Sequence, residues 1–312
     1  MRTLKTAGYD VVGLDIKPSP FTTTVGSVSD QSRVKQSMAG VDTVYHAATL
    51  HKPHVVTHSM QDFVDTNVSG TLALLEEAIS VGVKAFVFTS TTSIFGDALR
   101  PPPGNPAAWV TEDVIPIPRN IYGVTKTAAE DLCRMFHRQH GLSCVILRTS
   151  RFFPEEDDDS SKRNAYDDAN IKANEFLFRR VELEDVVSAH LLAAERAPEL
   201  GFGRYIISAS TPFLPEDLTD LNADAAKVVR LRIPDYLDIY NECGWKMFDK
   251  IDRVYVNRAA CKDLGWEPKF DFAHILESLR SGNFPRSRIS EVVGSKGYHD
   301  QIFKDGHYPV HG

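Results

Sequence analysis

The sequence predicts an α/β protein with a doubly wound parallel sheet, and three observations lead to this prediction. Short apolar runs such as 11–14 and 85–88 have the length and composition of buried strands. Helical patterns alternate with these runs, and the segment from Ser59 to Val81 carries apolar residues at helical spacing. No internal repeat is visible along the chain. Strands that alternate with helices in this way form a parallel sheet with helices on both faces.

The predicted elements follow one another in a regular order. We expect strands at 11–15, 41–46, 85–88, 143–148, near 176–178 and at 205–208, and helices at 29–40, 59–81, 122–140 and 184–196. Ser29 is expected to cap the first of these helices and Gly40 to end it. The proline-rich stretch from Asp97 to Asn120 is predicted to be a surface loop, because proline disfavours helices and central strands.

The composition is typical of a globular protein and argues against several classes of function. The chain has 312 residues, of which 42% are hydrophobic and 25% charged, so it can bury a large core. Its net charge is −7 without any basic block, which argues against nucleic acid as a partner. No apolar run reaches the length of a membrane span and no signal peptide opens the chain, so we expect a cytoplasmic protein without a membrane partner. Four widely spaced cysteines are expected to be reduced thiols: Cys133, Cys144, Cys243 and Cys261.

Two clusters of polar residues raise the question of a metal site. His46, His51, His54 and His58 lie close together, but no acidic or cysteine ligand stands at metalloprotease spacing. We expect a solvated loop there and no metal, with metal binding as the alternative. The acidic run 155–161 is likewise expected to be a solvated turn rather than a cation site.

Two segments in the middle of the chain indicate redox chemistry on an alcohol. Tyr122 and Lys126 are four residues apart on a predicted helix and therefore share one face. A fixed ammonium charge favours the phenolate, which lets a tyrosine exchange a proton near neutral pH. Hydroxyl groups at Thr89, Ser90 and Thr91 follow the preceding strand and can hold a substrate oxygen. The Tyr–Lys spacing also occurs by chance, so its meaning depends on its surroundings.

Ligands of an open parallel sheet bind outside the carboxyl ends of its strands. Asp15 ends one strand, where a carboxylate can accept both ribose hydroxyls of an adenosine; the alternative is a helix cap or a turn. Such a carboxylate repels a 2′-phosphate and therefore favours NAD over NADP. His46, Ala47 and Ala48 end the next strand with small residues that allow close backbone approach, or that simply pack tightly. The hydroxyls of 89–91 are either a site beside the nicotinamide or an ordinary hydroxyl cluster.

Together these motifs resemble the extended short-chain dehydrogenases/reductases of the NAD-dependent epimerase/dehydratase family, which includes nucleotide-sugar epimerases. The similar segments are 11–15, 44–48, 67–71, 88–96, 122–126, 180–186 and 264–268. The resemblance implies a Rossmann-type doubly wound sheet with a smaller C-terminal substrate lobe. It implies that residues 1–150 form the NAD-binding domain, that 176–208 return to it, and that 151–175 and 209–312 form the substrate lobe.

The resemblance also implies roles for individual residues. Tyr122 is the acid/base, Lys126 its charged partner, Thr91 the hydroxyl that holds the reacting oxygen, and Asn67 a support for the active-site helix. The cofactor is NAD. The residues expected to bind it are Asp15, Ile16, Ser27, Val28, Ala47, Ala48, Thr49, Thr89, Ser90, Tyr122, Lys126, Thr149 and Ser150.

Three departures from the family pattern limit what the resemblance implies. Thr92 and Ser93 stand where dehydratases carry an Asp-Glu pair; neither titrates near neutrality, so dehydration is disfavoured. Ser27 and Val28 stand where many members place an Asp against the adenine. The sequence before Gly8 is too short for a strand and a glycine-rich turn, because a βαβ unit needs ~30 residues. We therefore expect the first strand and its turn to be missing.

The expected partners are a small-molecule substrate, with a nucleotide sugar as the candidate, and a second copy of the chain. In related proteins the helices at 59–81 and 122–140 form a dimerising four-helix bundle. Arg179, Arg180 and Arg253 are candidates for a diphosphate contact, with structural ion pairs as the alternative.

Three hypotheses about function follow from the sequence. The first is an NAD-dependent epimerase or dehydrogenase acting on a secondary alcohol of a sugar or nucleotide sugar. The second is an N-terminally truncated, cofactor-poor family member with a binding or regulatory role. The third is that the functional protein is longer than this sequence.

Overall fold

The computed structural model describes residues 1–283, 285–294 and 303, and the chain forms two compact units. The first unit comprises Met1–Ser90, Asn120–Ile146 and Ala193–Gly203, and the second Thr91–Arg119, Leu147–Leu192 and Arg204–Gly312. Within the described ranges, no helix is both long enough and apolar enough to cross a membrane. The predicted functional division into a cofactor domain and a substrate lobe stays a prediction.

The secondary structure alternates between strands and helices through most of the chain. The strands are β1 (Leu14–Asp15), β2 (Thr24–Val25), β3 (Thr43–His46), β4 (Ala85–Thr91), β5 (Ala108–Val110), β6 (Cys144–Thr149), β7 (Phe202–Ile207) and β8 (Arg253–Tyr255). The helices are α1 (Arg2–Thr6), α2 (Gln31–Met38), α3 (Met60–Phe63), α4 (Gly70–Val81), α5 (Ile121–His140), α6 (Ser160–Ala165), α7 (Asp168–Glu175), α8 (Leu183–Leu200), α9 (Leu218–Leu221), α10 (Ala225–Arg232), α11 (Tyr236–Cys243), α12 (Arg258–Leu264), α13 (Phe272–Arg280) and α14 (Arg288–Val293). A π-helical segment, Val64–Ser69, joins α3 to α4.

The central sheet has four strands in the order β3-β4-β6-β7, and β3 pairs with β4 in parallel. Two further parallel pairs, β1–β2 and β5–β8, form separate two-stranded sheets. In a complete doubly wound domain, the strand that comes first in sequence lies between that domain's own second and fourth strands. No such strand is among the described elements, and the sheet is divided where that strand would lie.

The core of the first unit lies between helices and the central strands. Phe86 and Phe88 on β4 are fully buried beside Leu75 and Ala78 of α4 and Ala129 of α5. A strand buried on both faces is a continuous apolar run, as in 85–88. This packing fixes α4 and α5 against the sheet.

The second unit brings together two segments that the sequence singled out, 180–186 and 264–268. The indole N–H of Trp266 donates to the carbonyl of Asp185 at 3.1 Å and to Ser188 Oγ at 3.1 Å. The carboxylate of Asp185 accepts the backbone N–H groups of Lys269 at 2.9 Å and Phe270 at 3.0 Å. Trp266 is fully buried, so its indole needs these partners.

Several local predictions are wrong. Helix α2 is capped by Asp30, whose carboxylate accepts two backbone N–H groups, and not by Ser29. Residues 176–179 form turns rather than a strand, because α7 runs on to Glu175 and leaves no extended backbone. The proline-rich stretch contains β5, which lies in a two-stranded sheet and so avoids the interior position that proline excludes.

Candidate functional site

Helix α5 positions the two residues on which the functional prediction rests. The helix begins after Asn120, whose side-chain oxygen accepts the N–H of Gly123 at 3.1 Å and caps the first turn. Tyr122 and Lys126 follow on one face of the helix and are 3% and 2% exposed. Both functional groups are therefore held in the interior of the first unit by a rigid element.

The ammonium group of Lys126 is held by a backbone carbonyl and an aromatic ring. Its Nζ donates to the carbonyl of Thr89 at 2.8 Å and lies 3.9 Å from the ring centroid of Phe88. Burial lowers the pKa of Lys126 to about 7, and the nearby charges of Glu130 and Cys133 act in the opposite direction. The lysine thus exchanges its proton in the neutral range, where its charge bears on Tyr122.

Asn67 lies in the π-helical segment and uses its whole side-chain amide in hydrogen bonds. Its Oδ1 accepts from Leu50 N at 2.8 Å and from Thr49 Oγ1 at 2.9 Å. Its Nδ2 donates to Leu50 O at 3.1 Å and to Thr125 Oγ1 on α5 at 3.0 Å. The amide therefore connects the loop after β3 to the helix that carries Tyr122. A π-helical turn is frequent at functional sites.

Two histidines that the sequence placed in a solvated loop are part of this site. His51 Nδ1 lies 3.5 Å from the phenol oxygen of Tyr122, and their ring centroids are 5.5 Å apart. His46 is buried and its Nε2 lies 2.9 Å from Thr71 Oγ1, whose hydroxyl donates to the carbonyl of Asn67 at 2.7 Å. The solvated-loop prediction is wrong for both residues, since β3 carries His46 into the core.

Burial and the charge of Lys126 lower the pKa of each of these histidines to about 3, and His54 adds to the effect at His51. Both imidazoles are therefore neutral at neutral pH. Among the residues that the structure describes, no group of three or more His, Cys, Asp or Glu side chains is arranged to hold a metal ion.

Glu130 extends the functional face of α5 by one more turn and was not predicted. It is buried, and its Oε1 accepts the hydroxyl of Ser90 at 2.6 Å. Its charge helps to keep Lys126 protonated. The sequence could have indicated it, because Glu130 follows Lys126 by four residues, as Lys126 follows Tyr122, and so lies on the same face of the helix.

The residues predicted to hold the adenosine end of a cofactor lie at strand ends of the first unit. Asp15 and Ile16 are exposed at the end of β1, and Asp15 Oδ1 accepts the N–H of Lys17 at 2.9 Å. Ser27 is partly exposed and hydrogen-bonds Ser29, whereas Val28 packs into the core cluster. Val28 can therefore meet a ligand only through its backbone.

The small residues after β3 are open to ligand approach. Ala47 is exposed and Ala48 partly exposed, while the hydroxyl of Thr49 is within hydrogen-bonding distance of Asn67. Thr89 and Ser90 lie at the end of β4 and are engaged by Lys126 and Glu130. The residues that follow β3 and the end of β4 thus lie at the carboxyl ends of two paired strands of the central sheet, whereas Asp15 ends a strand of a separate two-stranded sheet.

Three predicted site residues belong to the second unit. Thr91 is nearly buried, and its Oγ1 accepts the N–H of Ser93 at 3.1 Å. Ser150 follows β6, and its N–H donates to Ile207 O at 2.9 Å. The Ser150 hydroxyl is buried and has no hydrogen-bond partner among the described residues. Thr149, the last residue of β6, is also buried.

The second unit holds a buried carboxylate surrounded by three arginines. Glu175 is fully buried and accepts from Arg179 at 2.6 Å and Arg180 at 2.9 Å, with Arg151 at 3.8 Å. Burial alone raises the pKa of Glu175, but the arginine charges outweigh it and hold the pKa well below its usual range. Arg179 and Arg180 thus make structural ion pairs, the alternative that the sequence left open.

The acidic run after Pro154 is also drawn into this cluster, which corrects the prediction of a solvated turn. Asp157 is buried and accepts from Arg151 at 3.2 Å and from Arg179 at 3.1 Å. A buried charge needs such partners. Arg253, the third arginine considered for a diphosphate, is paired with its neighbour Asp252 at 2.8 Å.

Beside this cluster the second unit contains a mainly apolar cavity of about 250 Å³. Phe152 and Phe153, with ring centroids 4.4 Å apart, form part of its wall together with Phe176 and Ile275. Lys172 at this wall is bonded within the protein, since its Nζ donates to Pro154 O at 2.6 Å.

The sequence of the chain matches a known family. Residues 1–203 match the model of the NAD dependent epimerase/dehydratase family. The chain belongs to this family. The predictions of the family, of an α/β Rossmann-type fold with parallel strands and of NAD as the family's cofactor are confirmed.

Several named proteins are similar to this chain over different lengths. A dTDP-glucose 4,6-dehydratase of Streptomyces antibioticus is 29% identical over 83% of this chain and 75% of its own length. An undecaprenol-linked N-acetylglucosamine 4-epimerase of Escherichia coli O157:H7 is 32% identical over 49% of this chain and 46% of its own length. An NAD-dependent glucose-6-phosphate dehydrogenase of Haloferax volcanii is 32% identical over 40% of this chain and 48% of its own length. Apart from the dehydratase, the chain thus spans less than half of these relatives.

Solved structures of epimerase/dehydratase and short-chain dehydrogenase proteins share the fold. A short-chain dehydrogenase/reductase superfamily protein of Agrobacterium tumefaciens, crystallised with NAD, is 21% identical with a TM-score of 0.61, covering 94% of each chain. The UDP-glucose 4-epimerase of Thermotoga maritima, crystallised with UDP-glucose, is 22% identical with a TM-score of 0.58, covering 90% of this chain and 94% of its own.

Some of the described residues suit the adenosine and nicotinamide ends of NAD, but none of them suits the diphosphate between these ends. Asp15 presents an exposed carboxylate for a ribose, and Ala47 and Ala48 leave room for a backbone approach. Lys126 and Tyr122 supply donors at the other end. No described residues form the glycine-rich turn between a strand and a helix that receives a diphosphate in dinucleotide-binding folds.

Proposed function

We propose that this chain is an NAD-dependent epimerase or dehydrogenase that acts on a secondary alcohol of a sugar or nucleotide sugar. The observation that supports this most strongly is the buried face of α5, which carries Tyr122, Lys126 and Glu130 in successive turns. In this proposal Lys126, which is held by the strand-end carbonyl of Thr89, supplies a cation on the same face of α5 as the phenol of Tyr122. This is an arrangement for moving one proton at a fixed point.

In this proposal Tyr122 takes the proton of the substrate hydroxyl during oxidation and returns it during reduction. The charge of Lys126 favours the phenolate, because an ammonium stabilises an oxyanion in a buried, low-dielectric site. Glu130 and the Thr89 carbonyl keep that ammonium in place. Asn67 holds α5 and the loop after β3 in register, so the phenol keeps its position.

NAD, when bound, supplies the hydride acceptor for this chemistry. Asp15 would hold the adenosine ribose, the backbone at Ala47 and Ala48 would allow the dinucleotide to approach, and Lys126 would bind the nicotinamide ribose. Thr91 would hold the reacting oxygen, and Thr149 and Ser150 would meet the carboxamide. These assignments rest on the residues' strand-end positions and on the family pattern.

The substrate class is supported by the relatives. Their names include dTDP-glucose, UDP-glucose and undecaprenol-linked acetylglucosamine as the compounds acted on or bound. Thr92 and Ser93 occupy the place of a dehydratase's acid pair, which favours epimerisation or net oxidation over dehydration. The homodimer and the cytoplasmic location remain predictions.

Steady-state kinetics separates the two favoured reactions. Net oxidation forms NADH in proportion to product, whereas epimerisation returns the hydride to the same substrate and accumulates none. A panel of nucleotide sugars assayed with NAD by thermal shift and absorbance identifies the substrate. The proposal is wrong if the folded protein binds NAD but converts no sugar or nucleotide sugar.

A second candidate is a cofactor-poor binding or regulatory protein. The observation that favours it is the divided sheet, with no glycine-rich turn among the described residues. Isothermal calorimetry with NAD decides between the two candidates. Micromolar binding supports the enzyme, and absence of binding at millimolar NAD supports the alternative.

A further inference from the structure

His51 contacts the phenol of Tyr122 from a different element of the first unit. Its Nδ1 lies 3.5 Å from the phenol oxygen, and the two rings are inclined by 30°. Tyr122 is 3% exposed, whereas His51 is only half-buried. The imidazole is therefore the more accessible partner of a buried, proton-bearing group. Hydrogen bonds of catalytic groups are often long before substrate is bound.

The position of His51 is fixed by its neighbours. The preceding residue, Leu50, is held through both its N–H and its carbonyl by the side chain of Asn67, at 2.8 and 3.1 Å. The N–H of His51 itself donates to His54 Nδ1 at 2.8 Å. Because the same Asn67 also binds α5, the imidazole and the phenol are tied to one support.

His51 is a neutral imidazole at neutral pH, so it can pass a proton on only if one nitrogen gains a proton as the other loses one. Burial, the charge of Lys126 and the nearby His54 lower the pKa of His51 to about 3. Lys126 and His54 are titratable neighbours of the imidazole, in addition to Tyr122. A neutral imidazole carries one N–H and one lone pair, so it accepts a proton at one nitrogen while releasing one from the other.

We propose that His51 is a positioning residue that relays protons between Tyr122 and solvent. In the direction of alcohol oxidation, the O–H bond of Tyr122 breaks and its proton binds His51 Nδ1. The proton on Nε2 leaves to water in the same step, so no imidazolium builds up and no electrons move; exchange with water then returns a proton to Nε2 and removes the one on Nδ1 before the next turnover. Reduction runs the same steps backwards. This inference rests on the proposed function, since it requires that Tyr122 gains and loses a proton in turnover.

The relay distinguishes the two favoured reactions. An epimerase returns the proton of Tyr122 to the substrate in its second half-reaction, so the phenol needs no exit for it. Net oxidation leaves one proton on Tyr122 in every turnover, and that proton must reach solvent before the next. The presence of a half-buried base at the phenol therefore favours net oxidation or reduction.

Chemical rescue tests the relay. His51→Ala is expected to lower the rate of NADH formation by about 10²-fold, and millimolar imidazole is expected to restore at least a tenth of the lost rate. Pyrrole, which has the same ring size but no basic nitrogen, is expected to restore none. The matched control is His58→Ala, an exposed histidine of the same segment, which should keep the wild-type rate with and without imidazole.

Two results of the rescue experiment on His51→Ala overturn the relay. One is an unchanged rate in His51→Ala, and the other is a loss that imidazole and pyrrole restore equally, which would indicate cavity filling. His51→Phe, which keeps an aromatic ring beside Tyr122, serves if the alanine variant does not fold; it should be as slow as His51→Ala and not rescued. Wild-type activity in this variant also contradicts the relay.

A readout without turnover separates this inference from the proposed function. The nitrogen resonances of the His51 imidazole, measured by NMR in the cofactor-free protein, are expected to shift when Tyr122→Phe removes the phenol. If wild-type protein converts no substrate but the shift is present, the proposed function fails and the contact stands. An unchanged Nδ1 resonance in Tyr122→Phe overturns the relay whatever the activity.

Discussion

Asn67 Nδ2 donates to Thr125 Oγ1 at 3.0 Å, and this bond ties the π-helical segment to the helix that carries Tyr122 and Lys126. The hydroxyl of Thr125 is a suitable acceptor because its own hydrogen points to the carbonyl of Ile121 at 2.8 Å. Asn67 is 1% exposed and Thr125 2%, so this bond lies away from water. The geometry of the proposed site therefore depends on one amide.

Asn67→Leu should destabilise the first unit. The change keeps the volume but leaves the backbone of Leu50 and the hydroxyl of Thr125 without their partner, at about 1–3 kcal/mol for each unsatisfied group. Urea unfolding should show a total loss of roughly 2–4 kcal/mol. Asn241→Leu, on the exposed face of α11, is the control and should change stability by less than about 0.5 kcal/mol. Equal effects in both variants would contradict the role of Asn67.

The buried neutral His46 should make the protein sensitive to acid. Its pKa is lowered to about 3 by burial and by Lys126, whereas the unfolded chain takes up this proton near pH 6.5. The unfolded state thus binds more protons between these values, so the free energy of unfolding should fall by about 1.4 kcal/mol per pH unit as the pH drops through this window.

His46→Gln removes this titration and keeps a hydrogen bond to Thr71. Denaturant unfolding at about pH 6 and about pH 4 should show a smaller loss of stability in this variant than in the wild type, by roughly 2 kcal/mol. His140→Gln, an exposed histidine at the end of α5, should behave like the wild type. The interpretation is wrong if His46→Gln keeps the full acid sensitivity.

Lys126 and Glu130 should be energetically coupled. Lys126→Met leaves the buried Glu130 carboxylate without the cation and should cost about 3 kcal/mol of stability, and adding Glu130→Gln should recover much of that loss. A double-mutant cycle should give a coupling of about 1–3 kcal/mol. The exposed pair Asp131–Arg134, at 2.9 Å, is the control and should give below about 0.5 kcal/mol. Equal coupling in the two pairs would argue against a buried charge at Lys126.

Glu175 should be a key residue for the stability of the second unit. Glu175→Gln leaves three arginine charges without their shared carboxylate and should cost about 3–5 kcal/mol. Glu242→Gln, an exposed acid on α11, should leave the unfolding temperature unchanged. A neutral effect of Glu175→Gln would mean that the arginines are satisfied without it.

The local spacing of apolar residues was sufficient to predict the helices and strands that depend on few long-range contacts. Helix α5 has helical periodicity over its whole length and was predicted to within one residue of its ends. Strand β4 is an apolar run whose start was predicted, but it continues three residues beyond the predicted end, to Thr91. The π-helical turn around Asn67 was not predictable, because one extra residue in a helix leaves no mark on the apolar spacing.

Long-range contacts account for the rest of the differences. His51 reaches Tyr122 across 71 positions of sequence, and only the fold of the loop after β3 brings them together. Asp157 and Glu175 meet the same arginines, although the acidic run alone is typical of a solvated turn. Strand β1 has two residues where four or five were expected, in keeping with a sheet that is divided beside it.

The central claim is that Tyr122 moves the proton while NAD takes the hydride. The most direct measurement is the rate of substrate conversion by the purified chain with NAD and the best nucleotide sugar of the panel, followed as NADH formation or as appearance of the epimer, in the wild type and in Tyr122→Phe. The account predicts that the wild type is active and that Tyr122→Phe is slower by about 10³-fold with unchanged unfolding temperature and NAD affinity. Full activity in Tyr122→Phe would contradict it.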